Sequence, residues 1–530
     1  MALRPTALLP TDAARRHAVG EWGTAPLGEC FDRTCAARGD AMALIDGEHR
    51  LRFADWDRLV AAAARGLLGL GVRPGDVVAY QLPNWWEAAV VFLAAARVGA
   101  VVNPVLPMFR ERELAFILRQ SGASVLVIPG EFRGCDYPAL VGSVRDEAPH
   151  LRTVVVARAD APPGSLAFDA LLDAGGAPPA VDVDADALLM LMYTSGTTAD
   201  PKGVLHTHNT LLAEVRSLAR MHAFTPADRT LMPSPLTHIS GVIHAILTPA
   251  VLGTSAVLME RWDADAGLAL IAAEGVTYMV GAPTFLQDLS DRAPAGGTSL
   301  RLFSCGGAAV SPALIRRARA ALGCVAKRVY GSTEFPTITT TDAADAETMG
   351  IESEGRVIAP GELRIVDDAG RPLPAGAEGE VQARGPECCV GYADAALNAD
   401  AFTADGWFRT GDLGAVDAAG YLRITGRLKE IVIRKGEKFS LAEIETAIAR
   451  HPAVAEAAVI AVPDAQTGER ACAVVVLHRS GTLALDELAT FLQAAGLARQ
   501  KVPEQLEIVD ALPRTDSGKV HRAALRARFA

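Results

Sequence analysis

The eight cysteines of this chain form no C-x-x-C pair and no metal-ligand spacing. Neither a zinc ribbon nor a thioredoxin-type redox motif is therefore encoded. Cys388 and Cys389 are adjacent, and two ordinary small apolar positions account for them. Reduced thiols suit a cytoplasmic compartment. A basic excess is missing as well: 51 Lys and Arg against 62 Asp and Glu give a formal net charge of -11. That balance argues against a nucleic-acid binder, while leaving room for a local basic funnel toward a phosphate-bearing ligand. The opening residues, MALRPTALLPTDAARRHAVG, hold no apolar core followed by a cleavage site, so a secretory leader is not expected. No transmembrane segment is expected either. The most membrane-like stretch, Thr230 to Met259, has no Asp, Glu, Lys or Arg, but Pro233, Pro235, His238, Gly241, His244 and Pro249 interrupt it. It offers no uninterrupted span of about 20 apolar residues and reads as a buried helix followed by a buried strand.

Apolar mass is what the chain has in quantity. Half of its 530 residues are hydrophobic, more than one core usually serves, so at least two domains are expected. Between Leu51 and Phe303, β-rich runs such as VVAYQLP, SVLVIPG and TYMVGA alternate with helical patterns such as NWWEAAVVFLAAARVG. Strands that are apolar almost throughout, alternating with helices, predict parallel sheets covered on both faces. Asn209 is the expected cap of the helix TLLAEVRSLARMHAF, and Ser311-Pro312 opens ALIRRARAALG. The Ala-, Pro-, Gly- and Asp-rich segment Ala159 to Val183 reads as a surface connection. After Gly361 the pattern turns antiparallel in style, with two strands around a turn in ELRIVDDAGRPLPAGAEGEVQARGP. The charged break Gly426-Arg427-Leu428-Lys429-Glu430 then sets an expected boundary between domains 1–426 and 427–530.

The most informative stretch is YTSGTTADPKGV, Tyr193 to Val204, which follows the apolar run ALLMLM. A loop at the carboxyl end of a buried strand is where open α/β sheets hold ligands. Gly196 permits close backbone approach. Thr194, Ser195, Thr197 and Thr198 bring hydroxyl donors, and Lys202 brings a cation. This set suits a phosphate chain, although the loop is not the G-x-x-x-x-G-K-[ST] pattern.

The loop resembles the phosphate loop of the adenylate-forming superfamily: acyl-CoA synthetases, peptide-synthetase adenylation domains and luciferases. Six further stretches match that family in its order: LTHISG (Leu236 to Gly241), SCGGAAV (Ser304 to Val310), YGSTE (Tyr330 to Glu334), TGD (Thr410 to Asp412), GRLKEIVIRKGEK (Gly426 to Lys438) and PRTDSGKV (Pro513 to Val520). The fold this implies is α/β: a large N-terminal domain of parallel-sheet layers with a small β subdomain, and a small mobile α+β C-terminal domain.

The resemblance also implies roles. Thr194, Ser195, Gly196, Thr197, Thr198 and Lys202 would bind the phosphates of ATP, and Gly307, Ala308 and Ala309 would edge the nucleotide. Tyr330 would offer a flat face to adenine, with Gly331, Ser332 and Thr333 beside it. Glu334, a hard oxygen ligand, would hold Mg²⁺ together with Thr194. Asp412 would accept from the ribose hydroxyls, and Arg427 would reach ribose or phosphate bidentately. Lys519 would swing in from the small domain to the α-phosphate and the acid's carboxylate, where a fixed cation lowers the barrier. His238, Ile239, Val242, Gly306 and Gly331 would line the acid pocket. In isolation each of these residues has a plainer reading: a core tyrosine, a core histidine, a solvated Glu, Arg or Lys. Seven motifs in register outweigh it.

Two half-reactions are implied: an acid and ATP give an acyl-adenylate and pyrophosphate, then a thiol, most naturally that of coenzyme A, displaces AMP. Between them the C-terminal domain would rotate about Lys429 and bring Lys435, Gly436 and Glu437 to the CoA tunnel. Many CoA-forming members carry Gly-Gly followed by Glu-Asn there; Lys435-Gly436-Glu437-Lys438 departs from that and leaves a carrier-protein thiol, an amine or another small nucleophile as alternative acceptors. A fused carrier domain is not expected in a chain ending at Ala530. A non-catalytic nucleotide binder is disfavoured by Lys202, Glu334 and Lys519 being present together. LTHISGVIH holds no Asp, Glu, Lys or Arg, so a moderately sized apolar acid is expected. PNWWEAAVVFLAAARVGAVVNPVLPMFRERELAFIL resembles short- and medium-chain and cyclohexanecarboxylate-type ligases. The expected partners are the acid, ATP and CoA, with no nucleic acid; a homodimer is compatible with the chain.

Overall fold

Residues whose side chains are apolar on both strand faces can only be satisfied inside a layered sheet. The computed structural model, which describes residues 9–173, 180–194, 201–342, 345–428, 431–434, 437–464, 468–478, 481–495, 497, 499–514 and 520–529, arranges them so. All four residues of Val77–Tyr80 and all five of Val125–Pro129 are buried. They belong to an eight-stranded sheet whose parallel centre runs Leu188–Thr194, Val101–Pro104, Val77–Tyr80, Val125–Pro129, Thr153–Ala157. A nine-stranded sheet has the parallel order Met42–Asp46, Ser255–Leu258, Arg229–Met232, Tyr278–Gly281, Leu302–Cys305, Val325–Tyr330. One core joins the two: Tyr80, Val102 and Met190 from the first sheet meet Leu44, Met232 and Tyr278 from the second, together with helix residues Trp56, Val90 and Leu211.

The switch after Gly361 is real. Glu362–Val366, Gly379–Arg384, Phe408–Val416 and Leu422–Arg427 form a separate four-stranded antiparallel sheet. The last hundred residues build a five-stranded sheet, with Val454–Asp464 and Gly468–Leu477 paired along their length and Gln505–Ile508 parallel to the latter. The helices Leu441–Ile448, Leu485–Ala494 and Arg522–Phe529 accompany it.

Three local expectations change. The helix expected to begin after Asn209 begins at His208, because Thr207 is the cap: its hydroxyl accepts from Thr210 N at 3.2 Å. Asn209 instead ties the N-terminal region down, accepting from Gly23 N at 3.0 Å and donating to Gly23 O at 2.9 Å. Ser311 does cap its helix, accepting from Leu314 N. The charge-free segment opens with the end of the strand Arg229–Met232 before its helix, which runs Ile239–Gly241, Val242–Leu247 and Thr248–Leu252 with a π-helical middle, and then the strand Ser255–Leu258. The expected connection Ala159 to Val183 carries a short strand, Leu166–Ala167, and a helix, Phe168–Leu172, whose Phe168 and Leu171 are buried. All eight cysteines are free thiols, and among the described residues no helix is long and apolar enough to cross a membrane.

Candidate active site

The hairpin Leu188–Thr194/Lys202–Thr207 places the opening loop at the carboxyl end of a strand that is parallel to its other neighbour, Val101–Pro104. Its last register pair is Thr194 with Lys202, so hydroxyl and ammonium flank the mouth of the loop. Ser195, Gly196, Thr197 and Thr198 lie outside the described residues. The free edge of the hairpin is covered by Gly391–Tyr392, which pairs with Val204 and Leu205. This pairing carries Tyr392 into the site. Its ring lies 5.7 Å from the Lys202 ammonium, and its hydroxyl donates to Glu334 Oε1 at 2.7 Å. Burial, reinforced by the Glu334 carboxylate, pushes the Tyr392 hydroxyl well above the usual phenol range and keeps it a donor. Cys389 N also donates to Glu334 O at 2.7 Å, so this one segment grips both ends of the glutamate.

The turn after Val325–Tyr330 is closed on itself, Ser332 N donating to Phe335 O at 2.9 Å and Ile338 N to Tyr330 O at 2.9 Å. A Cβ on Gly331 would stand 2.0 Å from Pro336 O, so only glycine lets the turn close. Thr333 O accepts from His206 Nε2 at 2.8 Å. Full burial pushes His206 down to about 4, which fixes it as the neutral tautomer with Nε2 protonated. His206 thus locks the turn to the hairpin that carries Lys202.

At the other end of that turn, Tyr330, Asp412 and Arg427 meet. The Tyr330 hydroxyl donates to Asp412 Oδ2 at 2.6 Å, and Arg427 Nε lies 2.8 Å from Asp412 Oδ1. Asp412 and Arg427 are a register pair of neighbouring strands, which explains why two residues so far apart in sequence share one corner. Asp412 is 7% exposed, and its carboxylate is an acceptor of the kind a ligand hydroxyl needs. Gly307, Ala308 and Ala309 are exposed at the carboxyl end of Leu302–Cys305, with Gly306 N bonded to Gly281 O at 3.1 Å.

His238, expected in the acid pocket, caps the helix that begins at Ile239, its Nδ1 lying 3.0 Å from Ser240 Oγ. Ile239 and Val242 are buried behind it. The approach to this helix is pinned from the eight-stranded sheet: the Tyr80 hydroxyl donates to Leu236 O at 2.8 Å, and Asn84 accepts from Leu236 N at 2.8 Å while donating to Ser234 O at 2.9 Å. π-helical turns of this kind recur at ligand sites.

Lys429, Lys435, Gly436 and Lys519 lie outside the described residues; Glu437 opens the strand Glu437–Ser440. Arg514 and Val520, on either side of the Lys519 segment, form an antiparallel bridge. Among the described residues no group of three or more His, Cys, Asp and Glu side chains gathers for a metal. Mg²⁺ needs less from the protein, usually one or two carboxylates plus substrate phosphates. Glu334, with one oxygen held by Tyr392, and the Thr194 hydroxyl fit that donor set.

Tyr392, His206, Tyr80 and Asn84 were not visible as site residues in the sequence. Each enters through a strand pairing or an inter-sheet contact that no local motif records.

Donors suited to phosphate and a polar corner suited to ribose, carried at strand ends of a layered α/β fold, define an enzyme of the nucleotide-using class. The chain belongs to the AMP-binding enzyme family, which matches residues 31–393, with the AMP-binding enzyme C-terminal domain matching residues 443–519. It is 36% identical to the medium-chain fatty-acid–CoA ligase of Escherichia coli (strain K12), over 96% of this chain and 91% of that one. It is 34% identical to the 2-hydroxy-7-methoxy-5-methyl-1-naphthoate–CoA ligase of Streptomyces carzinostaticus, over 98% and 96%. Its structure is similar to that of ATP-bound MatB from Rhodopseudomonas palustris, with a TM-score of 0.86 at 28% identity, covering 95% of this chain and 99% of that one.

Proposed function

We propose that this chain is an ATP-dependent acid–CoA ligase. The acid's carboxylate attacks the α-phosphorus of ATP, giving an acyl-adenylate and pyrophosphate; the CoA thiolate then attacks the acyl carbonyl and AMP leaves. The observation that carries this reading is the Lys202–Tyr392–Glu334 alignment beside the Tyr330–Asp412–Arg427 corner. Together they offer a cation for phosphate, a carboxylate for a divalent ion and a polar corner for ribose. The relatives named as CoA ligases favour CoA as the acceptor.

In this reading Thr194, Ser195, Gly196, Thr197, Thr198 and Lys202 hold the phosphates. Gly307, Ala308, Ala309 and Tyr330 frame adenine, and Asp412 and Arg427 hold the ribose. Glu334 and Thr194 hold Mg²⁺, which when bound neutralises charge on the phosphates. Lys519 neutralises charge developing between carboxylate and α-phosphate. The domain 427–530 turns about Lys429 to withdraw Lys519 and bring the Lys435–Glu437 loop to the CoA tunnel. The work is positioning and charge neutralisation. Eight free thiols suit the cytoplasm, where we place the enzyme.

Carboxylate-dependent exchange of labelled pyrophosphate into ATP tests the first step, and a panel of aliphatic, alicyclic and aromatic acids is the measurement of choice. No exchange with any acid would refute adenylation. AMP release that stays flat on adding CoA would refute CoA as acceptor.

A further inference from the structure

The face of the hairpin strand Lys202–Thr207 that carries Lys202 also carries Val204 and His206, since alternate residues of a strand share a side. Tyr392 pairs with Val204 across the covering strand, and directly opposed residues stand on the same face. The turn after Val325–Tyr330 lies against this face, and three successive residues of the turn are held there. Thr333 O accepts from His206 Nε2 at 2.8 Å. Glu334 Oε1 accepts from the Tyr392 hydroxyl at 2.7 Å. Phe335 is buried in one apolar cluster with Val204 and Tyr392. The two half-reactions give a task to Lys202 and to Glu334. They give none to His206.

Burial alone does not explain a histidine here. Position 206 is 0% exposed. Leucine would fill such a place with no polar atom to satisfy, whereas a buried polar group is costly unless it is hydrogen-bonded. Both ring nitrogens are engaged. The Thr333 carbonyl can only accept, so Nε2 carries the proton. Nδ1 is then an acceptor, 3.0 Å from the Thr210 hydroxyl. Thr210 belongs to the capping box that opens the helix His208–His222, and its Oγ1 also accepts from Thr207 N at 3.0 Å. The start of that helix therefore holds the imidazole, and the imidazole holds the Thr333 carbonyl.

What a fixed carbonyl does for the next residue is geometric. The Thr333–Glu334 peptide is planar, so a bond to Thr333 O fixes the plane from which Glu334 begins. Cys389 N donates to Glu334 O at 2.7 Å and fixes the plane on its other side. The Glu334 side chain thus leaves a backbone held before and after it, and Tyr392 takes up one carboxylate oxygen. His206 and Lys202 stand four residues apart on one strand, about 13 Å along it. The same strand therefore sets both where the Glu334 backbone lies and where the Lys202 side chain starts.

We propose that His206 is a positioning residue for Glu334: its Nε2–H fixes the Thr333 carbonyl, and through it the aim of the Glu334 carboxylate relative to Lys202. This rests on the acid–CoA ligase reading, in which Glu334 holds Mg²⁺ and Lys202 the phosphates, and it adds a residue behind that site. His206 itself touches neither ATP nor the ion. Its effect is confined to the part of ATP binding that depends on the ion.

Calorimetric titration of the full chain with ATP, once with Mg²⁺ and once in EDTA, gives the factor by which the ion tightens binding. Wild type should show such a factor, and His206→Leu and His206→Asn should each lower it by about 10-fold or more. ATP binding in EDTA should stay within about 2-fold of wild type in both. His206→Gln should keep the factor within about 2-fold. Its amide nitrogen stands as many bonds from Cα as Nε2 does, whereas the asparagine amide reaches only as far as Nδ1. Asparagine thus loses the Thr333 bond while staying polar toward Thr210, and it carries the test should the leucine variant fail to fold. Adding Tyr392→Phe to His206→Asn should lower the factor by less than the product of the two separate effects, since both act through Glu334. A factor unchanged in the leucine and asparagine variants would overturn the positioning role, as would an equal loss in the glutamine variant or a full product in the double variant. A factor of unity in wild type would overturn the placement of Mg²⁺ at Glu334 and this proposal with it. Pyrophosphate exchange by wild type, run alongside, reads the ligase assignment separately: exchange with no acid would overturn that assignment and what rests on it, whereas exchange together with an unchanged factor in the variants would overturn only the role of His206.

Discussion

Tyr392→Phe isolates one hydrogen bond in the centre of the site. The phenol is 4% exposed, and its hydroxyl donates to Glu334 Oε1 at 2.7 Å. Phenylalanine keeps the ring, hence the packing and the face toward the Lys202 ammonium, and removes only the donor. A hydrogen bond to a charged group contributes about 1.5–3 kcal/mol. Glu334 is only half-buried, so water takes over part of the role and about 1–2 kcal/mol is the reasonable loss. At 1.36 kcal/mol per decade this becomes a fall of about 5- to 30-fold in kcat/KM for ATP in pyrophosphate exchange. If the bond orients Glu334 for a divalent ion, the Mg²⁺ concentration for half-maximal rate should rise by about 10-fold or more. Conversion of a supplied acyl-adenylate to thioester should change by less than about 2-fold, since Glu334 is not asked to act there. A variant with an unchanged Mg²⁺ requirement and full exchange rate would refute the positioning role. A variant that loses both half-reactions equally would point to a folding defect instead.

Lys519→Ala should lower adenylate formation by about 10²–10³-fold and spare thioester formation from supplied adenylate; equal loss of both would refute the two-arrangement assignment. Glu214→Gln should change how stability depends on pH. The folded carboxyl of Glu214 keeps its proton to about 8, whereas the unfolded one ionises near its ordinary value. The folded state therefore binds more protons between about pH 5 and 8, and stability drains away as pH rises through that window. The glutamine variant should gain stability over wild type progressively across it in urea titrations, and a constant difference between the two proteins would contradict the buried neutral carboxyl. Gly331→Ala places a methyl against backbone, 2.0 Å from Pro336 O, so exchange should fall by about 10²-fold or more while melting by circular dichroism stays cooperative; wild-type kinetics would show that the turn can open at no cost.

What could be read from sequence was whatever is local. The phosphate loop needs a buried strand, then hydroxyls, glycine and lysine within a dozen residues, and all of that is contiguous between Tyr193 and Val204. Strand–helix alternation predicted parallel layers, and the change after Gly361 predicted the antiparallel sheet. The cap of the helix His208–His222 went astray by two residues, because Thr207 and Asn209 are both good caps, and a tertiary contact to Gly23 decides which is used. Tyr392 could not be read in this way. It stands nearly two hundred residues beyond Lys202, and only the pairing of Gly391–Tyr392 with the hairpin edge makes them neighbours.

The acid pocket shows how little of a site's surroundings one segment records. LTHISGVIH has no charged residue, and an apolar acid followed from that segment alone. The segment is one wall. Elsewhere on the nine-stranded sheet, Tyr278, Ser304 and Lys327 are polar residues of three neighbouring, mainly apolar strands, and register sets Ser304 beside Lys327. Glu214 and His222 arrive from one helix, eight positions apart and so about 80° from each other around its axis. A buried polar residue in any one of these segments is normally paired within the fold. Here strand register and helix packing bring such residues together, the His222 ring lying 5.6 Å from that of Tyr278. What a residue touches in a parallel-sheet protein is in this sense a property of rows across strands, which no single segment of sequence records.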